Sequence, residues 1–112
     1  MNEVAKALHD GLDRLSERGL AKFQLYDPET GRVCARGALV DSTPQQSWGG
    51  VVWSREADLL LCEMALEQYP DRVEPHVLGG EIVDFNNHDD TTQEDVERVF
   101  EKAIVRAYEL GV

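Results

Sequence analysis

Residues 96–107 place the tightest constraint on what this chain can fold into. Val96, Val99, Phe100, Ala103, Ile104 and Ala107 recur with the 3.6-residue period that gathers side chains on one face of a helix. Such a face needs something to cover it, so the segment predicts both a helix and a core. Thr91 and Glu94 stand in capping-box spacing, and Thr92 with Asp95 offers the adjacent alternative. Gly111 marks the far end. Arg98, Lys102 and Arg106 oppose the negative end of the helix dipole, and Glu94 with Arg98 makes a favourable i,i+4 pair.

Two further segments supply partners. Val4, Leu8, Leu12 and Leu15 form an amphipathic stripe, with Asn2 as a plausible N-cap and Gly19 as the stop after Arg14 and Arg18. Gly11 inside this helix costs about 1 kcal/mol relative to Ala. Arg55 to about Gln68 reads as a helix capped by Ser54 and ended by Pro70. Leu59, Cys62, Leu66 and Tyr69 form its expected inward stripe, widened by Leu60 and Leu61.

The segments between read as strand and loop. Phe23, Leu25 and Val33 flank Asp27-Pro28-Glu29-Thr30-Gly31, which has Asp and Pro placed for a type I turn and Gly31 for the positive φ that follows. Cys34 to Val40 suits either a strand or a short helix. Residues 41–53 form a loop punctuated by Pro44 and Gly49-Gly50, and residues 70–80 form a connection. Ile82-Val83-Asp84-Phe85 predicts a short strand. The expected fold is therefore α+β: three amphipathic helices packed around a small sheet made of a β-hairpin and one short strand, in a single domain spanning 1–112. A chain of 112 residues buries roughly 65% of its unfolded surface and needs no metal or disulfide staple.

Charge divides the chain. Eleven Lys and Arg face 22 Asp and Glu, a net −11. Residues 1–55 are balanced, with seven basic and seven acidic side chains. Residues 56–97 hold thirteen acids against Arg72 alone. Glu56, Asp58, Glu94, Asp95 and Glu97 fall in helix first turns, where the dipole favours them. Glu63, Glu67, Asp71, Glu74, Glu81, Asp84, Asp89 and Asp90 have no such explanation. Phosphate neutralisation needs Lys and Arg, so the composition argues against direct nucleic-acid binding and against anionic membrane surfaces. The N-terminal residues are interrupted by Glu3, Lys6, His9 and Asp10, and no window reaches the length of a membrane helix, so a cytoplasmic setting is expected. Cys34 and Cys62 are then expected to be reduced and buried in apolar surroundings.

No catalytic constellation emerges. Read as a calcium loop from Asp84, the cluster Asp84 to Asp90 places Asp89 where glycine is required and Asp95 where a bidentate Glu belongs. A looser divalent site from Asp84, His88 and Asp90 competes with a polar loop whose Asn and Asp side chains satisfy the backbone. His9, His76, His88 and the two cysteines lack zinc spacing. Nothing positions a base for a Cys34 nucleophile, and Gly49-Gly50 and Gly79-Gly80 lack phosphate-loop context. No cofactor is expected.

The core Gly31-Arg32-Val33-Cys34-Ala35-Arg36-Gly37-Ala38-Leu39, following Glu17-Arg18-Gly19 and followed by Ile82-Val83-Asp84-Phe85-Asn86-Asn87 and a Thr-capped helix with Val96 and Lys102-Ala103, resembles a family of small proteins. That family is a domain of unknown function common in actinobacteria and their phages. The likeness spans about Val4 to Ala107. It implies an actinobacterial or phage setting and no established activity. Where the family pattern has an acidic residue after the first Asn, this chain has Asn87.

The function expected from these readings is protein–protein contact, with an unknown partner bearing a basic surface. Its candidate residues are Trp48 and Trp53 in the long loop, together with Glu63, Glu67, Asp71, Glu74, Asp84, Asn86, His88, Asp89 and Asp90. Two alternatives accompany it. Acids from 63 to 90 arranged as a continuous ribbon would imitate nucleic-acid phosphates and block a DNA-binding protein. A metal site or enzyme centre would form around Asp84–Asp90.

Overall fold

A computed structural model describes residues 3–40, 55–73 and 80–111. These residues form α1 (Glu3–Arg18), α2 (Ala35–Val40), α3 (Arg55–Gln68), α4 (Glu81–Asn87) and α5 (Gln93–Leu110), with a 3-10 turn at Pro70–Arg72. Helix α5 is the hub: it packs against α1 on one side and α3 on the other. Val96, Val99, Phe100, Ala103 and Ala107 on its inner face are fully buried, as are Leu8 and Leu15 of α1 and Leu61 of α3. Each large side chain among them contributes about 1.5–3 kcal/mol through removal from water.

The expected stop signals and the start signal of α5 operate, while the caps read at Asn2 and Ser54 and the loop read at 41–53 lie outside the described residues. Thr92, not Thr91, caps α5, and its side chain and that of Asp95 close a reciprocal capping box. Gly111 ends α5 in the left-handed conformation at φ 71°. Helix α3 occupies the predicted Arg55–Gln68. Gly11 sits where α1 meets α5: a Cβ there would lie 2.9 Å from Cε1 of Phe100, so close approach offsets the helix-propensity cost.

The expected sheet does not form. Among the described residues the only β-pairings are isolated bridges, Leu20 with Val33 (parallel) and Tyr26 with Val33 (antiparallel). The turn itself is made as read: the Gly31 N–H donates to the Asp27 carbonyl at 2.8 Å, and Gly31 has φ 78°. What fails is strand extension. Residues 35–40 turn into α2 immediately after Val33, and Gly37 of α2 rests against the Leu25 carbonyl, where a second strand would have continued. Ile82-Val83-Asp84-Phe85 belongs to helix α4, because Ile82, Phe85 and Asn86 meet the core together at i, i+3, i+4 spacing. The domain is helical, not α+β.

The inward stripe of α3 is also rotated from expectation. Leu59 and Leu66 are exposed, while Ala57, Asp58, Leu60, Leu61, Cys62, Met64 and Ala65 are buried. This helix is apolar on nearly every side, so its packing partners α4 and α5 decide which face turns inward.

Candidate functional site

The most distinctive local structure lies where segment 20–26 crosses α2 and α4. Backbone bonds fasten the segment: Ala21 N–H to the Val33 carbonyl at 2.9 Å, and Cys34 N–H to the Leu25 carbonyl at 3.2 Å. Asn86, 2% exposed, brackets three pieces of chain. Its Oδ1 accepts from the Ala35 N–H at 2.9 Å, and its Nδ2 donates to the Ala21 carbonyl at 3.0 Å and to Asn87 Oδ1 at 3.1 Å. Asn87 Oδ1 in turn accepts from the Phe23 N–H at 2.8 Å. The Lys22 ammonium donates to the His88 carbonyl.

This bracketing holds Phe23 in an unusual state. It has φ 66°, the one positive φ at a non-glycine position among the described residues, and its side chain is 79% exposed. A left-handed backbone at a bulky residue costs on the order of 1–2 kcal/mol. Beneath it lies a cavity of about 180 Å³, bounded by Phe23, Gln24 and Leu25 on the crossing segment, Cys34 and Arg36 at α2, and Ile82, Val83, Asn86 and Asn87 on α4. Its lining is mainly apolar, with amide groups and one guanidinium for polarity.

That guanidinium is engaged. Arg36 Nε and Nη2 donate to the two oxygens of Asp58 at 3.0 and 3.1 Å, joining α2 to α3. Burial works against the Arg36 charge, yet the Asp58 carboxylate outweighs it and leaves the pKa raised. Burial disfavours the thiolate at both cysteines. Burial pushes the Cys34 thiol up despite a 3.2 Å bond from the Gly37 N–H to its sulfur. Burial, with Asp58 and Glu81 adding to it, pushes Cys62 up to about 11. Neither takes part in a disulfide.

Among the described residues, the sequence-predicted ones lie on α3, in the 3-10 turn, on α4 and in the loop after α4. Trp48, Trp53 and Glu74 lie outside the described residues. Glu63, on the outer face of α3, pairs with Arg106 of α5 at 3.7 Å. Glu67 and Asp71 are exposed. Asp84 is half-buried on α4. His88 Nδ1 accepts from the Asp90 N–H at 3.1 Å, shaping the loop from which Asp89 and Asp90 project into solvent. Among the described residues no group of three or more His, Cys, Asp or Glu side chains is arranged to hold a metal ion. Asn86 is the one predicted residue at the heart of the cavity. Phe23, Gln24, Leu25, Cys34, Arg36, Ile82 and Val83 were not foreseen as a site. The Asn86-Asn87 pair was the available signal, since adjacent amides that end an apolar run are suited to capturing backbone groups.

A second polar cluster is structural. The Arg72 guanidinium meets Asp95 at 2.9 Å and lies 4.8 Å from the centre of the Tyr69 ring, which itself stacks on Phe85. Arg98 donates to the Tyr69 hydroxyl at 2.7 Å. These contacts lock the end of α3 to the start of α5.

The fold and the cavity together define a helical protein with a side-chain-sized recess where the 20–26 segment meets α2 and α4. The chain belongs to a family of unknown function (DUF6197), whose model matches residues 1–106. No curated protein and no solved structure matches it. Among the described residues no helix is long and apolar enough to cross a membrane.

Proposed function

We propose that this protein is an interaction module that binds another protein by taking one apolar side chain of the partner into the cavity beneath Phe23. The observation that carries this reading is Phe23 itself: a large aromatic held in a costly backbone conformation, exposed, at the edge of a mainly apolar recess. Strain of this kind persists where surrounding structure imposes it, and it concentrates at binding sites. Aromatic residues beside small pockets supply much of the binding energy at protein interfaces. The exposed leucines of α3 are weaker candidates, because the Glu63–Arg106 ion pair lies between Leu59 and Leu66.

The partner is proposed to be a bacterial protein met in the cytoplasm, with the module itself encoded by a phage or prophage. Support for that setting comes from the sequence resemblance at Gly31–Leu39 and Ile82–Asn87. The phosphate-mimic reading is less favoured, since Glu63, one of the acids that would have to form an unbroken ribbon, is paired with Arg106.

Selection of linear peptides from a random library on the immobilised protein tests the reading. The enriched sequences are expected to share one large apolar residue. Phe23→Ala should weaken them about tenfold or more, in the range of interface hot spots, with helical content unchanged. Peptides that bind Phe23→Ala as tightly as the parent protein would place recognition elsewhere.

A further inference from the structure

We propose that the partner segment entering the cavity is basic: an aliphatic or aromatic side chain flanked by Lys or Arg, with the flanking cations facing Asp89 and Asp90. The inference rests on the reading above and adds to it the chemistry of the segment.

Three observations support it. First, the guanidinium that lines the cavity is offset within the molecule, since Arg36 is held by both oxygens of Asp58. Second, Asp89 and Asp90 follow the lining residue Asn87 by two and three positions, are exposed, and form no ion pair among the described residues. Their loop is fixed by the bond from Asp90 N–H to His88 Nδ1 and by the Thr91 N–H, which donates to the His88 carbonyl at 3.1 Å. The carboxylates are thus carried on hydrogen-bonded backbone that directly follows the cavity-lining Asn87. Third, the net charge of −11 attracts a cationic segment at long range and repels an anionic one. The volume sets the anchor: about 180 Å³ is comparable to cavities known to hold a benzene-sized group.

Titration of the ¹⁵N-labelled full chain with acetylated pentapeptides separates the claims. One peptide carries Leu between pairs of Lys, a second carries Leu between pairs of Ser, a third Leu between pairs of Glu, and a fourth Ala between pairs of Lys. The Lys-flanked Leu peptide should shift the amides of Phe23, Leu25, Ile82 and Asn87. It should bind roughly fivefold more tightly than the Ser-flanked peptide at low ionic strength, the sum expected of two exposed charge pairs. Replacing Asp89→Asn and Asp90→Asn together should abolish that preference and leave the Ser-flanked peptide unaffected. Equal binding of the Lys- and Ser-flanked Leu peptides overturns the basic-partner proposal while leaving the cavity reading intact. Equal binding of the Ala-centred peptide reduces the contact to diffuse attraction and also overturns it. Failure of every Leu-centred peptide to shift the cavity amides overturns both.

Discussion

Asn86 is the point at which fold and candidate site are joined, and Asn86→Ala measures how strongly. The side chain is 2% exposed and serves two buried backbone groups, the Ala35 N–H and the Ala21 carbonyl. Truncation leaves both without a partner and removes little apolar surface. An orphaned buried polar group costs about 1–3 kcal/mol. Two of them, partly relieved by water reaching the cavity, amount to about 3 kcal/mol. For a domain of this size that corresponds to a fall in Tm of roughly 12 °C. Urea unfolding followed by circular dichroism reads the loss directly, with the slope against denaturant unchanged. Asn87→Ala provides the comparison: its Oδ1 accepts from the Phe23 N–H at a half-buried position, so about 1 kcal/mol is expected. An Asn86→Ala protein within 0.5 kcal/mol of the parent would refute the bracket, because the segment carrying Phe23 would then be held by something else.

Other consequences can be measured. Gly37→Ala should destabilise the domain by about 2 kcal/mol or more in the same urea assay, because a Cβ there runs into the Leu25 carbonyl oxygen, which is backbone and cannot swing aside. Asp58→Ala leaves the partly exposed Arg36 guanidinium without its main partner and should cost about 1–3 kcal/mol, less than a fully buried pair because Arg36 can rehydrate. Burial works to raise the Asp95 carboxyl, but bonds from the Thr92 N–H and Arg72 outweigh it and leave its folded pKa lowered. Asp95 therefore contributes stability that is present above its ordinary value of 3.8 and is lost as pH falls through the lower folded value. The difference in stability between the parent and Asp95→Asn should accordingly shrink on acidification below about pH 4. Alkylation of Cys34 and Cys62 at pH 8 should be much slower in the folded protein than in urea, since burial disfavours both thiolates.

The long helices were legible because their own side chains specify them. The α5 stripe, the Thr92–Asp95 cap and the Gly19 and Gly111 stops all act within a few residues of one another, so local pattern and final structure agree. The short elements were not, because their state is decided by distant contacts. Ile82-Val83-Asp84-Phe85 contains too few residues to distinguish a period of two from 3.6, and the core contact of Ile82, Phe85 and Asn86 settles it. The turn at Asp27–Gly31 was read correctly, while the hairpin around it gave way to Gly37 packing on Leu25. The face of α3 was misread because leucines occupy both its sides. The candidate site shared this difficulty. Asn86 was singled out, but Phe23 looked like a strand residue, and only its positive φ and exposure mark it as something else.

The docking claim is tested most directly by isotope-filtered nuclear Overhauser contacts between a selected peptide and the labelled protein. The account predicts contacts from the peptide's apolar anchor to the methyl groups of Ile82 and Val83 and to the Phe23 ring. Anchor contacts to Leu59, Leu66 or Leu110 instead, with the cavity methyls silent, would contradict it.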